Sequence, residues 1–239
     1  MKKTTITILL LVFYSSLFSQ NGSGIVKYSV KLNFTLEDIE KEEKEKGKRL
    51  ETMRELIAKT KDTEAILKFT STNGYSSVSK RMQIKERNNG LDLVYSRAGS
   101  EKIFYTDLIM QTNTIQECKI FEKCYLIIQP KLEWKLTQES KLIGGYLCYK
   151  AINTSSKNTK QKPIAWYAPQ IPASFGPKHY FGLPGLILEL EETAIIFKVK
   201  NITLNPKNEV EIIPKKGTKI SEENYKAKQR REFSQFFEN

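Results

Sequence analysis

The chain has 239 residues, enough for one large domain or two small ones; 39% are hydrophobic, enough for a core, and 28% are charged, enough to keep a surface wet. Twelve glycines and eight prolines exclude collagen-like and low-complexity chains. A single histidine with three cysteines excludes most zinc sites and any multi-histidine centre, so neither metal nor cofactor is expected. The formal charge is +12, but the lysines are scattered and many alternate with glutamates, as in Glu40–Arg49. That pattern is a solvated surface rather than a nucleic-acid stripe, and no nucleic-acid partner is expected.

Residues 1–20 read as an address. Lys2 and Lys3 give a positive start, and Ile6–Phe18 is apolar apart from Thr7, Ser15 and Ser16. That run is shorter than the roughly 20 apolar residues a bilayer needs, and the small and polar residues up to Gln20 fit a cleavable secretory signal. The expected mature chain, residues 21–239, carries a charge of about +10, has no transmembrane segment and is periplasmic or secreted. It is expected to form a single β-rich domain.

In chain order, Val26, Tyr28, Val30, Leu32 and Phe34 alternate with polar residues, the period of a half-buried strand. Thr35 then opens a helix with Asp38 three residues on, a capping box, and strong helix formers continue to Thr60, so one long helix over 36–60 is expected. Its second half carries an apolar stripe of Leu50, Met53, Leu56 and Ile57. Short β-like segments follow at 65–70, 75–84, 91–97, 103–110, 124–129, 133–137, 146–153 and 164–168, with Asn73-Gly74 and Asn88-Asn89-Gly90 as turns and residues 157–161 as a polar hairpin tip. Folding about Glu192-Thr193 would pair Leu190 with Ile195, Leu188 with Phe197 and Leu186 with Val199, turning Glu189 and Glu191 outward. Ser221 caps a closing helix in which Tyr225, Phe233, Phe236 and Phe237 could dock.

The expected fold class is therefore α+β, mainly antiparallel β: a single large curved sheet or half-barrel with one long N-terminal helix and a C-terminal helix. Of the cysteines, Cys118 and Cys124 are six residues apart, about 20 Å along an extended strand, and could pair only across a turn. A disulfide from Cys148 to Cys118 or Cys124 is preferred.

Between Trp166 and Ile187, prolines, glycines and aromatics crowd together, with a connection of about 17 residues, longer than most loops. Leu183-Pro184-Gly185-Leu186 has proline and glycine where a type II turn wants them. Trp166, Tyr167, His179, Tyr180 and Phe181 are the candidate binding residues, since rings with a polar edge suit a ligand platform; the same rings would equally plug the open end of a sheet.

The hexapeptide Gly182-Leu183-Pro184-Gly185-Leu186-Ile187 resembles the name-giving motif of the GLPGLI family of exported bacterial proteins. The resemblance takes in Trp134, Lys141, Ile143-Gly144-Gly145-Tyr146, Cys148, Lys150, Ala151, Trp166-Tyr167, Ile171-Pro172 and Gly176-Pro177, and runs over about residues 122–200. It implies export and a shared domain but no activity. Where the family tends to carry lysine and phenylalanine, this chain has His179 and Tyr180.

Function is expected to be non-catalytic: a binding or carrier module for an apolar ligand, with a lipid or another envelope protein as partner. By analogy of fold alone, a concave sheet like that of periplasmic lipoprotein carriers would hold such a ligand. The alternatives are a structural scaffold, or a hydrolase near the hexapeptide using His179 with Glu189 or Glu191. Neither a Gly-x-Ser-x-Gly elbow nor a His-Glu-x-x-His helix is present to support the last.

Overall fold

The computed structural model describes residues 22–46, 51–79, 93–155 and 161–237. The signal-like segment, the Asn88-Asn89-Gly90 turn and most of the 157–161 hairpin tip lie outside these residues. So do the side chains of Leu50, Met53, Leu56, Phe233, Phe236 and Phe237.

Twelve strands form one sheet. They are β1 (Gly24–Leu32), β2 (Thr63–Phe69), β3 (Asn73–Val78), β4 (Ile103–Asp107), β5 (Thr112–Glu117), β6 (Tyr125–Ile128), β7 (Trp134–Ile143), β8 (Tyr146–Asn153), β9 (Ile164–Ala168), β10 (Leu186–Glu191), β11 (Ile195–Leu204) and β12 (Thr218–Ser221). Their spatial order is β12-β6-β5-β4-β3-β2-β1-β11-β10-β9-β8-β7. β12 lies parallel to β6, and the other neighbours are antiparallel. The helices are α1 (Leu36–Lys46), α2 (Glu51–Lys59), α3 (Leu93–Ala98) and α4 (Glu222–Phe237). No helix among the described residues is long and apolar enough to cross a membrane.

This corrects the expected α+β class. The fold is mostly β, its sheet is mixed and open, and among the described residues two short helices, not one long one, follow β1. Thr35 and Asp38 do cap α1 reciprocally: the Thr35 amide donates to Asp38 at 2.7 Å and the Asp38 amide to Thr35 Oγ1 at 3.3 Å. However, Arg54 on α2 reaches back to Glu43 on α1 at 3.3 Å and to Glu40 at 3.5 Å. Residues 11 apart on one straight helix would be about 16 Å apart along its axis, so the two helices fold against one another. The intervening sequence contains Gly47, a helix-weakening residue inside an otherwise favourable run.

Two other segments also differ from the sequence reading. Residues 93–98, read as part of a strand, form α3, which buries Val94 and Ala98 against the sheet at helical spacing. The β10–β11 hairpin turns at Thr193-Ala194, with the Glu192 amide donating to Ile195 O at 2.9 Å. Leu190 therefore faces Phe197 and Glu189 faces Lys198, two residues away from the expected register. Side chains alternate with period two, so a slip of two residues leaves the same set facing inward, and the hydrophobic pattern cannot distinguish the two registers.

The core lies on the face of the sheet built by Val26, Tyr28 and Val30 of β1, Leu67 and Phe69 of β2, and Leu190 and Phe197 of the hairpin. Residues 169–185 lie over this face: the Phe175 ring stacks on Phe69 at 5.1 Å, and the Lys178 amide donates to Ser76 Oγ on β3 at 3.1 Å. At the far edge, Phe121, Tyr125 and Tyr225 meet edge to face and dock α4 on β6. The disulfide there joins Cys118 to Cys124, whose Cα atoms are 4.0 Å apart; residues 119–123 make the return, and Cys148 is a buried free thiol. The preferred pairing of Cys148 is thus overturned.

Candidate functional site

The 169–185 segment is shaped by short-range hydrogen bonds. Ala173 and Phe175 donate to the carbonyls two residues before them, and Ile171 O receives both the Ala173 amide at 2.7 Å and the Leu186 amide at 3.0 Å. The Gly185 amide donates to Leu183 O at 2.8 Å, closing a three-residue turn on Pro184. The expected type II turn is therefore not formed, and Gly185 has φ 157°, not the value near +80° that such a turn needs. Glycine is required for a different reason: a Cβ at 185 would lie 2.3 Å from Ala168 O. The hexapeptide buries Leu183, Leu186 and Ile187 and leaves Gly182 and Pro184 exposed, and Ile187 O accepts a 2.7 Å bond from Tyr28 OH.

Beside this segment is a cleft of about 710 Å³. Its walls come from α3, the β10–β11 turn, the end of β8, the link before β7 and the start of α4. On its floor, Lys178 Nζ donates to both Glu192 oxygens at 2.8 Å, and Tyr180 OH donates to Glu192 Oε1 at 2.9 Å. Lys178 also donates to Arg97 O at 3.3 Å, tying the loop to α3. Burial would push the Glu192 carboxyl up, but the Lys178 charge and the bonds from Lys178 and Tyr180 outweigh it, so Glu192 titrates below its ordinary value. Burial and the adjacent carboxylate push Tyr180 well up. Lys178 holds this position with φ 56°, a left-handed conformation uncommon for a residue with a side chain.

His179 stacks on Tyr180 with ring centroids 4.5 Å apart and faces Phe104 at 6.1 Å. Burial, helped by the Lys178 charge and opposed by Glu192, lowers its pKa to about 4, so the imidazole is neutral near pH 7. Its Nδ1 has no hydrogen-bond partner, and neither has Nδ2 of Asn153, a residue only 2% exposed. Both residues line the cleft.

The five candidate binding residues are divided by the fold. His179 and Tyr180 line the cleft, and Trp166, Tyr167 and Phe181 do not. Trp166 Nε1 donates to Glu191 Oε1 at 3.0 Å, and its ring lies under Lys141 Nζ at 4.0 Å. Tyr167 packs near Tyr149, and Phe181 is buried, its carbonyl accepting from Trp134 Nε1 at 2.9 Å. Glu189, expected to point outward, is 5% exposed and bonds Lys141 at 2.7 Å. The carboxylate beside His179 is thus Glu192, not Glu189 or Glu191. Sequence reading missed Lys178, Glu192, Arg97 and Asn153; of these only Lys178 carried a signal, its place next to His179 in the long loop. Cys148, on the sheet beside Lys141, has its thiol pushed up to about 11 by burial.

A family model described as a protein of unknown function (Porph_ging) matches residues 156–189. That span runs through the whole loop into β10 and includes Lys178, His179 and Tyr180. Among curated proteins, none matches. Two solved structures are similar, "Structure of PNGF-II in C2 space group" and "Structure of PNGF-II in P21 space group". The first has a TM-score of 0.53 at 13% identity, over 87% of this chain and 32% of that one. The second has a TM-score of 0.51 at 13% identity, over 87% and 33%. The chain spans about a third of the length of these neighbours, and at this identity the likeness is one of fold alone.

Proposed function

We propose that this chain is an exported, non-catalytic binding module that holds a small ligand in the cleft beside Lys178, His179 and Tyr180. The observation that carries the reading is a cleft of about 710 Å³ lined by Lys178, His179 and Tyr180, which stand in the segment that the family model matches. The left-handed Lys178 supports the reading, because strained backbone collects at ligand sites. The volume is also in the range of small-molecule sites. Export rests on the signal-like residues 1–20 and on the GLPGLI-like hexapeptide.

The absence of catalysis is part of this proposal. Glu192 is held by Lys178 and Tyr180, so it does not orient the imidazole as a triad carboxylate would. The test is to purify the protein from a native envelope, identify small molecules in its organic extract by mass spectrometry, and titrate that extract into labelled protein. A defined compound that shifts the amides of His179, Asn153 and Thr193 is expected. An extract with no enriched compound and no shift at those amides would overturn the reading, as would a measured hydrolysis abolished by His179→Ala.

A further inference from the structure

The far edge of the sheet holds a second apolar cluster, apart from the main core. Tyr125 and Ile127 of β6 and Tyr225 of α4 are buried there, with Ile115, Phe121 and Ile220 packed against them. The Phe121 ring meets Tyr225 edge to face at 5.6 Å, and Lys228 Nζ lies 4.9 Å from its centre. Phe121 thus grips α4 at two positions on one face of the helix.

Phe121 stands in the return between β5 and β6, and little else gives that return its shape. Among the described residues, no backbone–backbone hydrogen bond involves 119–123. The Lys119 amide donates to Glu117 at 2.7 Å, and Lys119 Nζ pairs with Glu101 at 3.0 Å. The closure is the Cys118–Cys124 disulfide, one step beyond the Glu117–Tyr125 pair that ends the β5–β6 ladder. Cys118 is exposed and Cys124 half-buried, whereas the free Cys148 is buried. Cys124 also seats the start of β12: its carbonyl accepts from the Thr218 amide at 3.1 Å, and a Cβ on Gly217 would lie 2.6 Å from that oxygen. From β12 the chain runs straight into α4, whose Glu222 and Lys226 line the cleft.

We propose that Cys118–Cys124 is a thiol–disulfide exchange site for a dithiol, and that its reduction releases the start of α4 and loosens one wall of the cleft. A thiolate of the dithiol attacks Cys118 Sγ, and the Cys118–Cys124 bond breaks with its electron pair leaving on Cys124 Sγ, which takes a proton. The second thiolate of the dithiol then attacks the mixed disulfide and expels Cys118, which is protonated in turn. The protein pair gains two electrons and two protons, and the dithiol loses both and leaves as its own disulfide. Once the ring is open, ordering 119–123 costs more entropy, and Phe121 no longer holds its place on Tyr225.

The test treats the labelled full chain with dithiothreitol in the absence of denaturant. Alkylation with iodoacetamide then counts the thiols, and amide hydrogen exchange is compared between the oxidised and reduced chains. Two alkylated cysteines are expected, with Cys148 protected by its burial. Exchange at Tyr225, Lys226 and Lys228 is expected to rise about tenfold on reduction, with Tyr28 and Val30 of β1 unchanged. Phe121→Ala, with its disulfide intact, is expected to show the faster α4 exchange already and to gain nothing further from dithiothreitol.

A disulfide that yields only after denaturant is added would overturn the exchange site. Unchanged exchange in α4 after reduction would overturn the release, and so would equal acceleration in β1, which would make the bond a staple of the whole fold. A full response to dithiothreitol in Phe121→Ala would overturn the route through that ring. None of these readouts uses a ligand, so the binding-module reading is judged apart, by whether the native extract moves the cleft amides.

Discussion

Two residues of the loop show how similar sequence signals come from different physics. Gly182 has φ 88° with open space around its missing Cβ, so an alanine there pays for conformation alone, about 1 kcal/mol. Gly185 is set against the β9 end, where a Cβ would meet three backbone atoms of Ala168 and Pro169 within 2.8 Å. Backbone cannot swing aside as a side chain can. Gly185→Ala is therefore expected to cost at least twice as much as Gly182→Ala in urea unfolding, on the order of 2–3 kcal/mol. Equal costs would show that the close approach does not constrain the fold. His179 gives a second prediction at this scale. Its pKa falls from 6.5 to about 4 on folding, so the unfolded chain binds the extra proton first. The stability this group contributes is fully present above pH 6.5 and is lost as pH falls toward 4. His179→Phe keeps the stack on Tyr180 and removes the titration. Stability measured across that window is expected to fall less steeply in the variant than in the parent, and parallel profiles would refute it.

At the scale of elements, β1 was legible because alternating burial on a sheet leaves a period-two pattern in the residues themselves. β10 was legible as a strand but not as a wholly buried one. A bulge at Leu188 lets Ile187 and Glu189 sit opposite consecutive residues of β9, so alternation fails and a glutamate is enclosed. The helix pair was hidden because Gly47 weakens a run of good helix formers by only about 1 kcal/mol in sequence terms. α3 was hidden because six residues with two apolar contacts give no sustained period. The site was legible only through its loop. Length and aromatic crowding singled out 166–187, but which rings face the cleft depends on the strand that each belongs to. Trp166 and Tyr167 are on β9, whose partners supply them with Glu191 and Tyr149. His179 and Tyr180 are on the free part of the loop. Arg97, Asn153 and Glu192 come from three distant stretches of chain, and no local pattern announces their meeting.

At the scale of the molecule, the centre of the sheet is where the first strand meets the eleventh. β1 is flanked by β2 and by β11, so Tyr28 pairs with Ala65 on one side and with Val199 on the other. The contact with β11 closes a loop of about 170 residues, the kind of pairing that slows folding because its entropy must be offset before it forms. Without β11 the remaining strands separate into β1–β6 with β12 and β7–β10, with no ladder between them. The parts beyond β11 add to an edge instead: β12 lies outside β6, and α4 packs beside it on Tyr125. Two shortened chains separate these roles. Residues 22–205 keep eleven strands contiguous and lose only β12 and α4. That chain is expected to unfold in a single cooperative step, at lower denaturant than the parent because Tyr125 and Ile127 lose their cover. Residues 22–194 lack β11 and are expected to show no cooperative transition and a collapsed amide spectrum. The comparison is read by urea denaturation followed by circular dichroism and by the dispersion of amide resonances. A cooperative transition in the 22–194 chain would mean that one side of the sheet folds without the central pairing, and would refute the role given to β11.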